Sequence, residues 1–231
     1  MKYLGHGVTA KSRTGRRIGP NTEDLLRQAV DRAHNWLDVA ITEVEHARAH
    51  PNAMTLINDM HAAGRVLTVR RAAVQAFNAP NEDTVMSTLL GRVATALDRL
   101  ENGLGAGYQI VDIDMLTRIG DVTGGCTGGY VSQHLIGDGF GRIHLNYKLF
   151  RRLGRINLER TRDIAAWTLL HEGTHKFSAT RDRGYVDHPS FRQLSWSTAV
   201  GNADSISAFI FLLAHPEKLD LVAWPRAPYL W

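Results

Sequence analysis

The stretch Ala166-Trp167-Thr168-Leu169-Leu170-His171-Glu172-Gly173-Thr174-His175 decides how this 231-residue chain is read. Its last five residues have the spacing H-E-x-x-H. On a helix, positions i and i+4 share a face, so His171 and His175 both reach a single ion, with Glu172 at the edge of that face. A carboxylate placed there can take a proton from a water held by the ion. The approach, Glu159-Arg160-Thr161-Arg162-Asp163-Ile164-Ala165, contains no Gly or Pro and is rich in helix formers. Ala166, Leu169, Leu170, Gly173 and Phe177 make one apolar stripe at helical spacing, and Ile164, Trp167, His171 and His175 fall on the other side. A helix apolar on both sides belongs in a core, where two histidines need partners.

Two histidines do not complete a zinc site. A catalytic site takes a third protein ligand and leaves the fourth position to water. No glutamate lies between Glu172 and Glu217, and the place of a histidine six residues beyond His175 is taken by Arg181. The candidates are therefore Asp182, Asp187, His188, Asp204 and His215. Asp182, just past the expected helix end, is the nearest oxygen donor that a turn can bring round, and it ranks first. Upstream, Arg142-Ile143-His144-Leu145-Asn146-Tyr147 alternates and reads as a strand. Strand, loop and H-E-x-x-H helix follow the order of zinc peptidases of the zincin type. There the strand is a sheet edge to which an extended substrate adds itself by backbone hydrogen bonds.

Three elements carry a closer likeness. The first joins Phe140-Gly141-Arg142-Ile143-His144-Leu145 to Ala166 through His175. The second is Ala179-Thr180-Arg181-Asp182-Arg183-Gly184-Tyr185, and the third Asn202-Ala203-Asp204-Ser205. Together they resemble the aspzincins, the family of deuterolysin and the peptidyl-Lys metalloendopeptidases, loosely over residues 21–214. The resemblance implies an α+β, mostly helical zincin-like metallopeptidase domain with a small β-sheet and an active-site helix. It implies one Zn2+ held by His171, His175 and Asp182, with Glu172 as general base and Tyr185 as the donor facing the oxyanion. Asp204, with Ser207 and His144, is implied to act behind the ligands or along the substrate pocket. Without the resemblance, Tyr185 reads equally well as a core aromatic and Asp204 as a helix cap.

The chain departs from the family at three points. Its His175-to-Asp182 gap is shorter, and Ala179 stands where a glycine is expected in the turn. Ser207 replaces a glutamate of the lysine-specific members, so strict lysine selectivity is not implied. Secreted members use disulfides, including a cysteine where this strand has Asn146, whereas the chain has only Cys126. One cysteine excludes an internal disulfide. As a nucleophile, Cys126 ranks far below the zinc motif.

The net charge of +4 is unevenly spread. Lys2, Lys11, Arg13, Arg16 and Arg17 give residues 1–22 a charge of +5, leaving 22 basic against 23 acidic groups in the rest. Residues 1–20 thus read as a basic, flexible arm preceding one domain, 21–231. Arg151, Arg152 and Arg155 form a second basic cluster, but without interleaved aromatics no nucleic-acid partner is expected. No apolar run suggests a membrane span, and no h-region of a secretory signal is present. The expectation is a cytoplasmic protein, or one exported by a specialised route as an effector or toxin with an inhibitor or immunity partner.

Further along, Asn21-Thr22-Glu23-Asp24 opens a helix that Pro51 stops. More helices are expected over 53–78, with a break near Gly64, over 80–100, 190–199 and 204–214. Strands are expected over 108–112, 130–134 and 142–146. His46 and His50 lack the intervening carboxylate and read as a helix-end pair. Gly103-Leu104-Gly105-Ala106-Gly107 follows a helix rather than opening one, so it reads as a cap and not a phosphate loop. The aromatic tail 224–231 is expected to pack on the body. The functional expectation is a zinc endopeptidase acting on polypeptides. Its alternatives are a zinc amidase cutting a non-protein amide, such as a cell-wall peptide, and an effector or toxin module with a structural zinc site.

Overall fold

A computed structural model describes residues 1–12, 17–51, 56, 59–112, 129–130, 142–186 and 188–219. Cys126, Asp187, the tail and residues 131–134 of the strand expected over 130–134 lie outside them. The described chain is α+β and mostly helical, with a small mixed sheet. It divides into two compact units where one domain was expected. The first comprises Met1–His34 and Leu100–Ala179, and the second Asn35–Arg99 and Thr180–Trp231.

The first unit is built on five strands: β1 (Lys2–Gly5), β2 (Val8–Lys11), β3 (Gln109–Asp112), β4 (Gly129–Tyr130) and β5 (Arg142–Leu145). Their order is β1-β2-β3-β5-β4, with β2, β3 and β5 parallel and the outer two strands antiparallel to their neighbours. The expected N-terminal arm is thus corrected in part. Residues 2–11 form a hairpin because Leu4, Val8 and Ala10 alternate into the core, while Gly5, His6 and Gly7 take the positive φ of its turn. The hairpin joins the sheet through parallel pairing of Thr9–Lys11 with Gln109–Val111. The expected edge strand is corrected as well. β5 lies between β3 and β4, so among the described residues the edge on that side is β4.

Helix α1 (Pro20–Ala49) starts in this unit, and the last turn of α3 (Asp83–Gly105) returns to it. After β5 comes α4 (Tyr147–Gly154), which the sequence reading took as loop. The Asn146 side chain caps it by accepting from Leu149 N at 2.9 Å, and Asp112 at the end of β3 accepts from Tyr147 N at 3.2 Å. Tyr147 and Phe150 turn inward. Burial, then the Asp112 carboxylate, pushes the Tyr147 phenol above its ordinary range, and its hydroxyl donates to Ile110 O at 3.3 Å.

Helix α5 (Leu158–Ser178) carries the H-E-x-x-H residues and packs on α4, β5 and β4. Asn157 caps its start, accepting from Arg160 N at 3.0 Å. Every residue from Ile164 to Lys176 is buried, as a helix with two apolar sides requires. The last turn of α3 approaches α5 closely. A Cβ on Gly103 would fall 2.1 Å from Phe177 Cγ, and one on Gly173 would fall 2.9 Å from Leu100 Cδ1.

The second unit contains the remainder of α1, α2 (Met60–Phe77) and most of α3, then α6 (Trp196–Ala199) and α7 (Ala203–Ala214). Helix α2 runs through Gly64 without the expected break. The helix expected over 190–199 is instead a 3-10 turn (Pro189–Gln193) followed by the short α6. Helix α7 is the centre of this unit: ten of its twelve residues are buried, and Phe209 meets Phe77 with ring centroids 5.3 Å apart. His46 and His50 lie at the end of α1, where His46 Nε2 approaches Ala62 O at 3.2 Å, in keeping with a helix-end pair.

Candidate metal centre

Helix α5 sets the first two groups. His171 and His175 are 7% and 6% exposed, and their Nε2 atoms lie 3.2 Å apart. Two imidazoles bound to one zinc at about 2.1 Å with a tetrahedral angle would bring their nitrogens about 3.4 Å apart. At the observed spacing the two nitrogens share a hydrogen bond, and the same separation lets both donate to one ion. Glu172, between them in sequence, is 4% exposed. Thr174 returns its hydroxyl to His171 O at 2.8 Å, so it stays within the helix.

The turn after α5 supplies the third group. Ala179 adopts the left-handed conformation at φ 57°, ψ 30°, and its N–H bonds back to Thr174 O. The chain reverses there, as a helix C-terminus with a glycine would. Asp182 is exposed, and one oxygen of its carboxylate with one ring nitrogen each of His171 and His175 form a set lying within 4.8 Å of one another. It is the one metal-capable cluster found among the described residues. Two imidazoles and one carboxylate fit a catalytic zinc ion by donor type and number. Of the rival third ligands, His188 turns its Nδ1 to Ser190 and His215 its Nδ1 to Glu217.

No protein-family model, curated protein or solved structure matches the chain. The likeness to aspzincins therefore rests on the sequence motifs alone.

The placement of the third motif's residues is informative. Residues 181–186 are anchored on the segment that starts α7. Arg181 bridges Asn202 in parallel fashion, with Arg181 N donating to Gly201 O and Ala203 N to Arg181 O at 2.9 and 3.2 Å. The fully buried Asn202 side chain accepts from Arg183 N at 2.8 Å and Gly184 N at 3.2 Å, and donates to Gly184 O at 2.9 Å and Ser205 Oγ at 3.0 Å. Asp204, also buried, accepts from Val186 N at 2.7 Å.

Asp204 is therefore not the helix cap. Asn202 holds the N-cap position of α7, without a side-chain cap bond, and Asp204 lies in the first turn. Tyr185 is 50% exposed, which removes the core-aromatic reading. Ser207 is wholly buried with its hydroxyl bonded to Ala203 O at 3.0 Å, so it does not line an open pocket. His144 is half-buried on β5, opposite Tyr130 in the register, and is not in the metal-capable cluster. The sequence reading missed the work of Asn202. Its signals were its place at the head of the third motif and just ahead of a helix, where an asparagine normally announces a cap.

Proposed function

We propose that this protein is a zinc-dependent endopeptidase with a zincin-like, aspzincin-type site. The observation that supports this most is the pair of buried imidazole nitrogens 3.2 Å apart with a buried carboxylate between them in sequence. His171, His175 and Asp182 would hold one Zn2+, which when bound supplies a more acidic water and polarises the substrate carbonyl. Glu172 is the base: its carboxylate takes the proton of the attacking water and returns it to the amine nitrogen as the peptide C–N bond breaks. Tyr185, exposed on the anchored loop, presents a phenolic hydroxyl that donates to the carbonyl oxygen as charge gathers there. The polypeptide would lie extended and add to the outer side of β4, the edge of the sheet beside β5. No helix among the described residues is long and apolar enough to cross a membrane.

A denatured proteome incubated with zinc-loaded protein, and the new termini mapped by mass spectrometry, tests this. Wild type is expected to cut in a chelator-sensitive way. Glu172→Ala should keep its zinc and lose at least about a hundredfold in rate, the scale of removing a general base. Asp182→Ala should lose activity by losing metal. A wild type that holds zinc but cuts no polypeptide would point to the amidase or structural reading instead.

A further inference from the structure

Asp182 and Tyr185, both exposed on the loop after α5, alternate with residues whose backbones are tied down. Arg181 is fixed through its backbone, Arg183 and Gly184 through Asn202, and Val186 through Asp204. Each candidate site residue thus sits between two neighbours anchored through their backbones.

Resting on the zinc reading above, we propose that Asn202 is a positioning residue that pre-forms the loop for metal binding. Its amide serves both edges of the loop at once, accepting two N–H groups through Oδ1 and donating to Gly184 O through Nδ2. Ser205 Oγ takes the remaining amide proton, so the Asn202 plane is fixed rather than free to flip. An exposed aspartate on an untethered turn would lose backbone freedom worth about 1–2 kcal/mol per residue each time it bound an ion. Here Asn202 meets that cost during folding, before metal arrives. Gly184 adds to the fit, since a Cβ there would lie 3.2 Å from both Phe191 N and Cα. Partners one step behind the ligands commonly change metal affinity about 10- to 100-fold, and Asn202 belongs in that range.

The test compares zinc affinity by competition with a chromogenic chelator in wild type, Asn202→Ala, Asn202→Asp and Leu212→Ala. It is paired with amide hydrogen exchange of the metal-free proteins. Leu212 is buried in α7 and has no part in the loop, so its truncation lowers stability without touching the anchor. Wild type should protect the Arg183 and Gly184 amides although Arg183 is exposed. Asn202→Ala is expected to lose that protection and at least tenfold in zinc affinity, while Leu212→Ala binds zinc like wild type. Asn202→Asp keeps both acceptor bonds and should recover protection at Arg183 and Gly184 with most of the affinity. If the alanine variant does not fold, the metal-free wild type decides: Arg183 and Gly184 amides that exchange freely there overturn the pre-formed loop. Equal zinc affinity in wild type and both Asn202 variants would overturn the positioning role while leaving the zinc reading standing. Failure of the wild type itself to bind zinc would overturn the zinc reading and the positioning role with it.

Discussion

Ala179 is the residue on which the route from helix to third ligand turns. At φ 57° it holds a conformation that costs an L-residue with a Cβ about 1–2 kcal/mol and costs glycine little. Ala179→Gly should relieve that strain, offset in part by the greater freedom of glycine in the unfolded chain. The expected net gain is up to about 1 kcal/mol, read as a raised denaturation midpoint with an unchanged m-value. A loss of stability would mean that the methyl group contributes packing that outweighs the strain. The same residue separates what the sequence made legible from what it did not. His171 and His175 are paired by helical spacing alone, a local rule that needs no tertiary knowledge. The loop that carries Asp182 begins at the left-handed Ala179 and is tied to Asn202 through Arg183 and Gly184, and neither feature has a local signature in the sequence. Ligand type and closeness to the helix end rank Asp182 first among the candidates, and the D-x-x-Y spacing of the resemblance agrees with that ranking.

Among the elements, helices with long apolar periods were legible and short pieces were not. The Asn21-Thr22-Glu23-Asp24 start and the Pro51 stop bracket α1, found over Pro20–Ala49. β1 and β2 are four residues each, and β2 pairs with β3, about a hundred residues away in sequence, so local pattern understated the hairpin. α4 was missed because two turns of helix carry too little periodicity, and its Asn146 cap was read as the end of a strand. The crossing of α3 on α5 was legible only as a glycine-rich turn. Its real constraint is steric, because Gly103 faces the ring and Cβ of Phe177. Gly103→Ala should therefore force the two helices apart or push Phe177 off its rotamer, at about 1–3 kcal/mol of unfolding free energy. Gly173→Ala meets only the movable tip of Leu100 and should cost less. Urea melts of the two variants would check the ordering, and a larger loss at Gly173 would refute it.

At the scale of the whole molecule, each compact unit is assembled from two separate stretches of sequence, so neither completes its core until the chain has returned to it. In the first unit, charges help to hold these stretches together. Arg32 on α1 pairs with Glu159 and Asp163 on α5, and Arg162 on α5 pairs with Glu159 and, at 3.0 Å, with Asp24 on α1. Lys2 on β1 pairs with Glu23 on α1 at 2.8 Å. The hydrogen bond from Arg32, aided by Arg162, holds the Glu159 carboxyl below its ordinary range, and the hydrogen bond from Lys2 does the same for Glu23. A carboxylate whose ionisation is lowered by folding stabilises the fold above the unfolded-state value of about 4.3. That contribution disappears as pH falls through the lower, folded-state value. The thermal midpoint should accordingly fall as pH is lowered from about 5 towards 3, where the unfolded state binds the extra protons. Glu159→Gln should flatten that acid limb while starting from a lower midpoint at neutral pH, and added salt should shrink the difference because Glu159 is exposed. An acid limb as steep in Glu159→Gln as in wild type would show that the α1–α5 ion pairs do not govern the acid response of this unit.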